Sequence, residues 1–217
     1  MNKMNLHYSL LSSLPLLQGI GANVLLDWQE RHVIRIVSIE RDEGVVIGQG
    51  EYCRTLAMLM EGEMECCLKT RDWELHESIY AGQVIEEEAV WSLSQRYERS
   101  YRATTDARLA VVSREHVMRT LMNNEIFRIN LLGRMAARLE RQNRAARECM
   151  THTVEEHIMR FVGSIQLNAG SRKLLIIKMD TLAGIVRETR LNVSRALHRM
   201  QDEGKIRLKR ERILFEV

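Results

Sequence analysis

Apolar and polar positions change rhythm three times along this chain of 217 residues. After a short N-terminal helical region, short alternating runs separated by glycine occupy the stretch from about Ile34 to Val112. Alternation at period two predicts half-buried strands at Val45–Ile47, Thr55–Met60, Met64–Lys69, Ser78–Tyr80 and Leu109–Val112. Many short strands with glycine turns (Gly44, Gly48, Gly50, Gly62, Gly82) imply a barrel or jelly roll. From Arg114 to Met150 the residues are strong helix formers, without proline and with Gly133 as the sole glycine, which predicts one long helix. Along it Leu132, Met135, Leu139, Gln142, Ala146 and Cys149 recur at alternating three and four spacing, the stripe of a coiled coil. A parallel pair of such helices makes a two-fold dimer; the alternative is a helix packed on its own domain. The last part begins with a helical stripe (Val154, Ile158, Phe161, Val162, Ile165). A strand (Leu174–Met179), two short helices and a strand pair over Lys205–Val217 follow.

The two short helices span Asp180–Gln201 and are joined by a tight turn, as in a helix-turn-helix. Leu182, Ile185 and Val186 form the first apolar stripe, and Ala183 is small enough to let two helices cross closely. Thr189 is suited to N-cap the second helix. Val193, Ala196, Leu197 and Met200 then face inward, leaving Arg190, Leu191, Ser194, Arg195 and His198 on the outer face. Arginines there suit a major groove, because guanidinium donates bidentately to the guanine O6/N7 edge. An amphipathic helix pair with a merely basic outer face is the blander alternative. The turn position usually held by glycine is Arg187, which must accept a positive φ or a reshaped turn. A strand, a helix pair and a hairpin in this order read as a winged helix. Its turn at Arg210–Arg212 brings Lys209, Arg210 and Arg212 toward a phosphate backbone.

Net charge is only +3 but unevenly spread, since residues 151–217 hold 13 Lys/Arg against 8 Asp/Glu. The basic excess lies where the helix pair lies, as phosphate contact requires. Cys53, Cys66, Cys67 and Cys149 show no framework spacing and read as reduced cytosolic thiols. Cys66 and Cys67, adjacent on a strand, point to opposite faces. The Leu-rich patch Ser9–Leu17 contains Ser12, Ser13 and Pro15 and no cleavage pattern follows it, so it is not read as a signal peptide. No run reaches membrane-spanning length, and the expected compartment is cytoplasmic. A cupin-like metal enzyme, the rival from another class, needs about three histidines and a carboxylate in the barrel. The β region holds one histidine, His76, and no nucleophile elbow, P-loop or dinucleotide fingerprint occurs. Neither a catalytic nor a metal-ligating set is predicted.

The run Gly44–Glu51, followed by Leu56–Leu59 and Gly62–Met64, resembles the glycine-turn pattern of the Crp–Fnr family of bacterial transcription regulators. The order of parts is similar over nearly the whole chain. The resemblance implies an α+β architecture in three parts. These are an N-terminal double-stranded β-helix (a jelly roll of cyclic-nucleotide-binding type, residues 1–113), a dimerisation helix (114–150) and a C-terminal winged helix-turn-helix domain (151–217). It implies a homodimer on a two-fold symmetric double-stranded DNA operator, with RNA polymerase as a further candidate partner and no membrane. Arg190 and Arg195 match the family's two base-reading arginines, with Thr189, Asn192 and Ser194 nearer the phosphates and His198 alongside. The family's glutamate after the first arginine is here Leu191, which exchanges an acceptor for cytosine N4 for contact with a thymine methyl.

Cyclic-nucleotide members carry a phosphate cassette, and the matching stretch begins at Gly82. By that resemblance Glu87 is the ribose acceptor and Arg99 and Ser100 the phosphate ligands. The stretch departs from the pattern: Glu86 replaces a glycine, Glu88 adds a carboxylate, and the spacing to Arg99 is longer. Three adjacent carboxylates oppose anion binding, so cyclic AMP is disfavoured and the effector is left unidentified. The alternative is that Glu86–Glu88 begin a solvated helix and Arg99 is a surface residue. No cysteine precedes Cys53, which disfavours an iron–sulfur cluster, and no pattern supports haem at His76, Cys66 or Cys67. A cyclic-nucleotide-responsive regulator and an effector-independent regulator stay open as alternatives.

Overall fold

The computed structural model describes residues 3–41, 43–147, 153–167 and 171–216. They form two compact units, residues 1–65 with 79–137, and residues 66–78 with 138–217. This division differs from the expected one at 113/114 and 150/151. The segment 66–78 joins the C-terminal unit, and the long helix contributes to both.

In the first unit, α1 (Lys3–Ser13) and α2 (Ala22–Glu30) precede the strands. Leu11, Leu14, Leu16, Leu17 and Leu25 are wholly buried, so the Leu-rich N-terminal patch is core. The strands follow as β1 (Arg35–Ile39), β2 (Val45–Ile47), β3 (Thr55–Glu61), β4 (Glu63–Lys69), β5 (Trp73–Tyr80), β6 (Val84–Ile85), β7 (Ser100–Ala103) and β8 (Ala107–Ser113), of which most of β4 and β5 belongs to the second unit. One antiparallel sheet runs β1-β8-β3-β6, and β2 pairs with β7 in the second, giving a β sandwich. β1, β6, β7 and the first half of β5 were not legible as alternation. β6 has two residues, and β1 carries the polar Arg35 and Ser38 among apolar neighbours. The turn from β3 to β4 requires Gly62, whose φ is 86° and where an added Cβ would lie 2.3 Å from the Asp106 carbonyl oxygen.

The expected single helix from 114 is broken. α3 (Arg114–Arg119) ends in a short 3-10 turn at Leu121–Asn123, and α4 (Glu125–Arg147) starts anew. Asn124 accepts from the Phe127 N–H at 3.0 Å, which supplies an N-terminal partner for the new helix. Val117 and Leu121 before the break and Phe127 and Leu131 after it are all buried. Cys149 lies outside the described residues.

The second unit contains α5 (Val154–Ile165), β9 (Lys173–Ile177), α6 (Met179–Val186), α7 (Arg190–Asp202), β10 (Ile206–Lys209) and β11 (Arg212–Phe215). Thr153 and Glu156 form a reciprocal capping box at α5, which lies beside the basic α7 through an Arg199–Glu155 ion pair. β9 lies between β11 and β5, with Leu175 opposite both Ile213 and Leu75. A three-stranded sheet of β9, β11 and β10 would leave one edge of β9 open; β5 covers it. Its inward residues join a core of Ile158, Val162, Leu182, Val193, Leu197 and Met200, and Trp73 meets Phe161 edge-on at 5.4 Å. Glu77, buried on the same strand, accepts from the Leu167 N–H at 2.7 Å and the Ser171 hydroxyl at 3.2 Å. That satisfies a carboxylate which could not otherwise enter a core.

Candidate nucleic-acid interface

A left-handed turn sets the junction of α6 and α7. Arg187 adopts φ 58°, ψ 43°, the left-handed conformation, and Glu188 N–H donates to the Ala183 carbonyl at 3.0 Å to close the turn. Thr189 then caps α7, its hydroxyl accepting from Asn192 N–H at 3.2 Å. Val193, Ala196, Leu197 and Met200 are buried beneath α7, and Leu182, Ala183 and Val186 beneath α6. Ile185, expected in that stripe, is exposed instead, because the buried stripe of Leu182, Val186 and Ala183 turns toward the opposite flank of the helix.

The outer face of α7 carries Arg190, Leu191, Arg195 and His198 exposed, with Asn192 and Ser194 half-buried at its edge. The exposed Arg190 guanidinium lies 3.5 Å from the Asp180 carboxylate at the start of α6. A pair this open to solvent is weak, so it steers the side chain rather than holding it. Asn192 Nδ2 donates to Glu188 at 3.2 Å. The β10–β11 hairpin turns through Arg210 and Glu211, with Lys209 directly opposite Arg212, and Lys209, Arg210 and Arg212 are all exposed. Glu211 takes φ 57° to make this tight turn. Arg190, His198, Lys209, Arg210 and Arg212 line one cleft of about 450 Å³ between α7 and the hairpin. It is a cationic groove between a helix and a strand pair.

The proposed effector residues are brought together in the first unit, in a manner the sequence did not disclose. Glu86, Glu87 and Arg99 are buried, so the reading of a solvated helix with a surface arginine is corrected. Glu86 stands in the left-handed region at φ 36°, ψ 55°, where a glycine would sit without cost. Its carboxylate accepts from Glu98 N–H at 2.6 Å, Arg99 N–H at 3.0 Å and the Tyr101 hydroxyl at 2.8 Å. Burial still pushes its pKa up, against the lowering effect of those donors and the Arg99 charge. Glu87 heads a 3-10 turn, Glu87–Val90, and its carboxylate accepts from Arg134 of α4 at 2.8 Å. The Arg99 guanidinium lies 3.8 Å from Glu98, and Ser100 begins β7. Backbone donors of the kind that cradle an anion are therefore met here by the protein's own carboxylate.

Cys66 is wholly buried and Cys67 half-buried, on opposite faces of β4. Burial raises the Cys53 pKa, which keeps that thiol protonated and weakly reactive. Among the described residues no helix is long and apolar enough to cross a membrane.

No family model and no curated protein matches this sequence. Among solved structures, the catabolite activator protein of Thermus thermophilus is similar over 93% of both chains, with a TM-score of 0.55 at 18% identity. A putative transcriptional regulator of the Crp/Fnr family from Eubacterium rectale is similar over 94% of both, with a TM-score of 0.53 at 14% identity. The regulator CLP of Xanthomonas campestris, described as c-di-GMP-responsive, covers 91% of this chain with all of its own at a TM-score of 0.51 and 18% identity. At these identities the likeness is one of fold: a β sandwich of cyclic-nucleotide-binding type within a mixed helix and sheet chain.

Proposed function

We propose that this chain is a homodimeric, sequence-specific DNA-binding regulator of transcription of the Crp–Fnr type, with a winged helix-turn-helix in its C-terminal unit. The carrying observation is the α7 face. A capped helix exposes Arg190, Leu191, Arg195 and His198 over four buried apolar residues, beside a hairpin that adds Lys209, Arg210 and Arg212. Capping at Thr189 leaves the N-terminal turn of α7 ordered, and that is the part of a recognition helix that reaches base edges. Arg190 and Arg195 read bases, Leu191 meets a thymine methyl, and Thr189, Asn192, Ser194 and the hairpin cations hold phosphates.

A second copy of the chain is the partner for α4. Ile129, Leu132 and Leu139 are 60%, 67% and 58% exposed, an apolar stripe unusual for a solvated helix, and Met135 lies between them half-buried. Ile129 extends the stripe one step upstream of the sequence reading; the side chains of Gln142 and Ala146 fall outside the described residues. The two-fold axis of such a dimer matches paired half-sites one DNA turn apart.

The effector is not a cyclic nucleotide held by the phosphate cassette. The Glu86 carboxylate already takes Glu98 N–H, Arg99 N–H and Tyr101 O–H, and Glu87 is engaged by Arg134. Any phosphate would have to displace a carboxylate from its own donors. A cupin-like enzyme is disfavoured too, since the one histidine of the β region, His76, belongs to the C-terminal unit.

Selection of binding sites from random duplex with the full-length protein tests the reading, and a two-fold symmetric motif is expected. On that motif Arg190→Ala and Arg195→Ala should each cut the preference over random duplex by about 5- to 150-fold, the equivalent of about 1–3 kcal/mol per bidentate contact. Intact discrimination in both variants would remove the assignment. Sedimentation should give a dimer at micromolar protein, and calorimetry with cyclic AMP and cyclic GMP no saturable heat; tight binding of either would reinstate the cyclic-nucleotide alternative.

A further inference from the structure

The β4–β5 hairpin carries a cluster that the DNA-binding reading does not use. Thr70 N–H donates to the Trp73 carbonyl at 2.9 Å to close the turn. Counting back along the strands sets Cys67 opposite His76 and Lys69 opposite Glu74. All four alternate onto the face away from the buried Cys66, Leu75 and Glu77. Cys67 Sγ is 3.7 Å from His76 Nε2, and Glu74 Oε2 is 3.4 Å from the same nitrogen. The three donor atoms lie within 4.8 Å of one another.

We propose that Cys67, His76 and Glu74 form a binding site for zinc(II), with a solvent molecule completing a tetrahedron. The spacing suits a tetrahedral metal site. With Zn–S of about 2.3 Å and Zn–N and Zn–O of about 2.0–2.1 Å, tetrahedral angles place sulfur about 3.5 Å from nitrogen and oxygen about 3.4 Å from nitrogen. The observed 3.7 and 3.4 Å need almost no adjustment to reach those separations. Sulfur, imidazole and carboxylate together suit a borderline ion such as zinc, not the oxygen-seeking magnesium or calcium.

The surroundings support the donor roles. Lys69 Nζ holds the other carboxylate oxygen of Glu74 at 2.5 Å, fixing the orientation that presents Oε2 to the histidine. A thiolate and a carboxylate neutralise the dication, so no net charge is left on a half-buried face. The site is distinct from the nucleic-acid surface. Its strand β5 pairs with β9 from Trp73 to Glu77, so the ion would stiffen the strand that closes the DNA-binding unit's sheet.

The test uses reduced, chelator-treated full-length protein in a Cys149→Ser background, titrated first with cobalt(II) and then with zinc(II) against a chromophoric indicator. Cobalt should saturate at one equivalent per chain, with thiolate-to-metal charge-transfer absorption and the intense visible bands of four-coordination. Cys67→Ser should abolish the charge-transfer band. His76→Gln should keep that band and weaken zinc binding by more than about a hundredfold, above the loss typical of groups that only orient a ligand. Absence of saturable binding, zinc affinity unchanged in His76→Gln, or a charge-transfer band that persists in Cys67→Ser would each overturn the proposal. Circular dichroism of each apo variant, matched to the parent, separates loss of a ligand from loss of fold.

Discussion

Replacing Glu86 by glycine tests whether the first unit closes its own anion site. The carboxylate serves three buried donors, Glu98 N–H, Arg99 N–H and Tyr101 O–H, at 2.6, 3.0 and 2.8 Å. Removing it orphans all three at about 1 kcal/mol each, the low end for buried groups that water can partly reach, or about 3 kcal/mol in all. Glycine offsets part of this. It relieves a left-handed conformation that costs a side chain about 1–2 kcal/mol, and loses about 0.5–1 kcal/mol to the greater freedom of the unfolded chain. The net loss is about 2 kcal/mol, a fall in melting temperature of about 4–8 °C for a chain of this length. Thermal unfolding followed by circular dichroism at neutral pH measures it. Inorganic phosphate should then restore more of the loss in Glu86→Gly than it adds to the parent, since the variant leaves those three donors without their carboxylate. A variant as stable as the parent and indifferent to phosphate would show that the carboxylate is a burden there, and the argument against cyclic nucleotides would fall with it.

Glu86→Gln should also change the pH profile. The Glu86 pKa is raised above its ordinary 4.5, so the folded chain keeps this proton at a pH where the unfolded chain has lost it. Stability from this group is therefore full below 4.5 and declines as pH rises through the folded value; the glutamine variant should lack that decline in denaturant midpoints between pH 4.5 and 7. Thr189→Ala removes the cap at Asn192 N–H and should cost about 1 kcal/mol of stability, with weaker binding to the selected duplex, measured by denaturation and fluorescence anisotropy. Gly62→Ala sets a Cβ 2.3 Å from the Asp106 backbone oxygen at a positive φ, so a loss of more than about 2 kcal/mol or failure to accumulate folded protein is expected; a near-neutral effect would contradict the turn geometry.

The helix pair was legible because everything that defines it is local. Its apolar spacing, the Thr189 cap and the positive φ demanded of Arg187 all lie within 22 residues, and each was readable without a partner. The opposed faces of Cys66 and Cys67 followed from strand alternation in the same way. The long helix misled because helix formers alone cannot show that Asn124 will cap a new start, which depends on where Leu121 and Phe127 find a core. Glu86 misled more deeply. Three adjacent glutamates read as solvated, yet Glu86 is 1% exposed, because its acceptors' partners come from residues 98, 99 and 101.

Sequence by itself thus determined the order of parts, the basic excess of the C-terminal region and the face of α7 that is offered to a ligand. Each rests on period, charge or capping over a few neighbours. Tertiary structure alone decided that β5 completes the sheet beside β9, that Glu86 answers donors twelve to fifteen residues away, and that Cys67 and His76 meet across a hairpin. Those are contacts between positions whose separation along the chain carries no signal, since burial and pairing are settled only when the whole core closes around them.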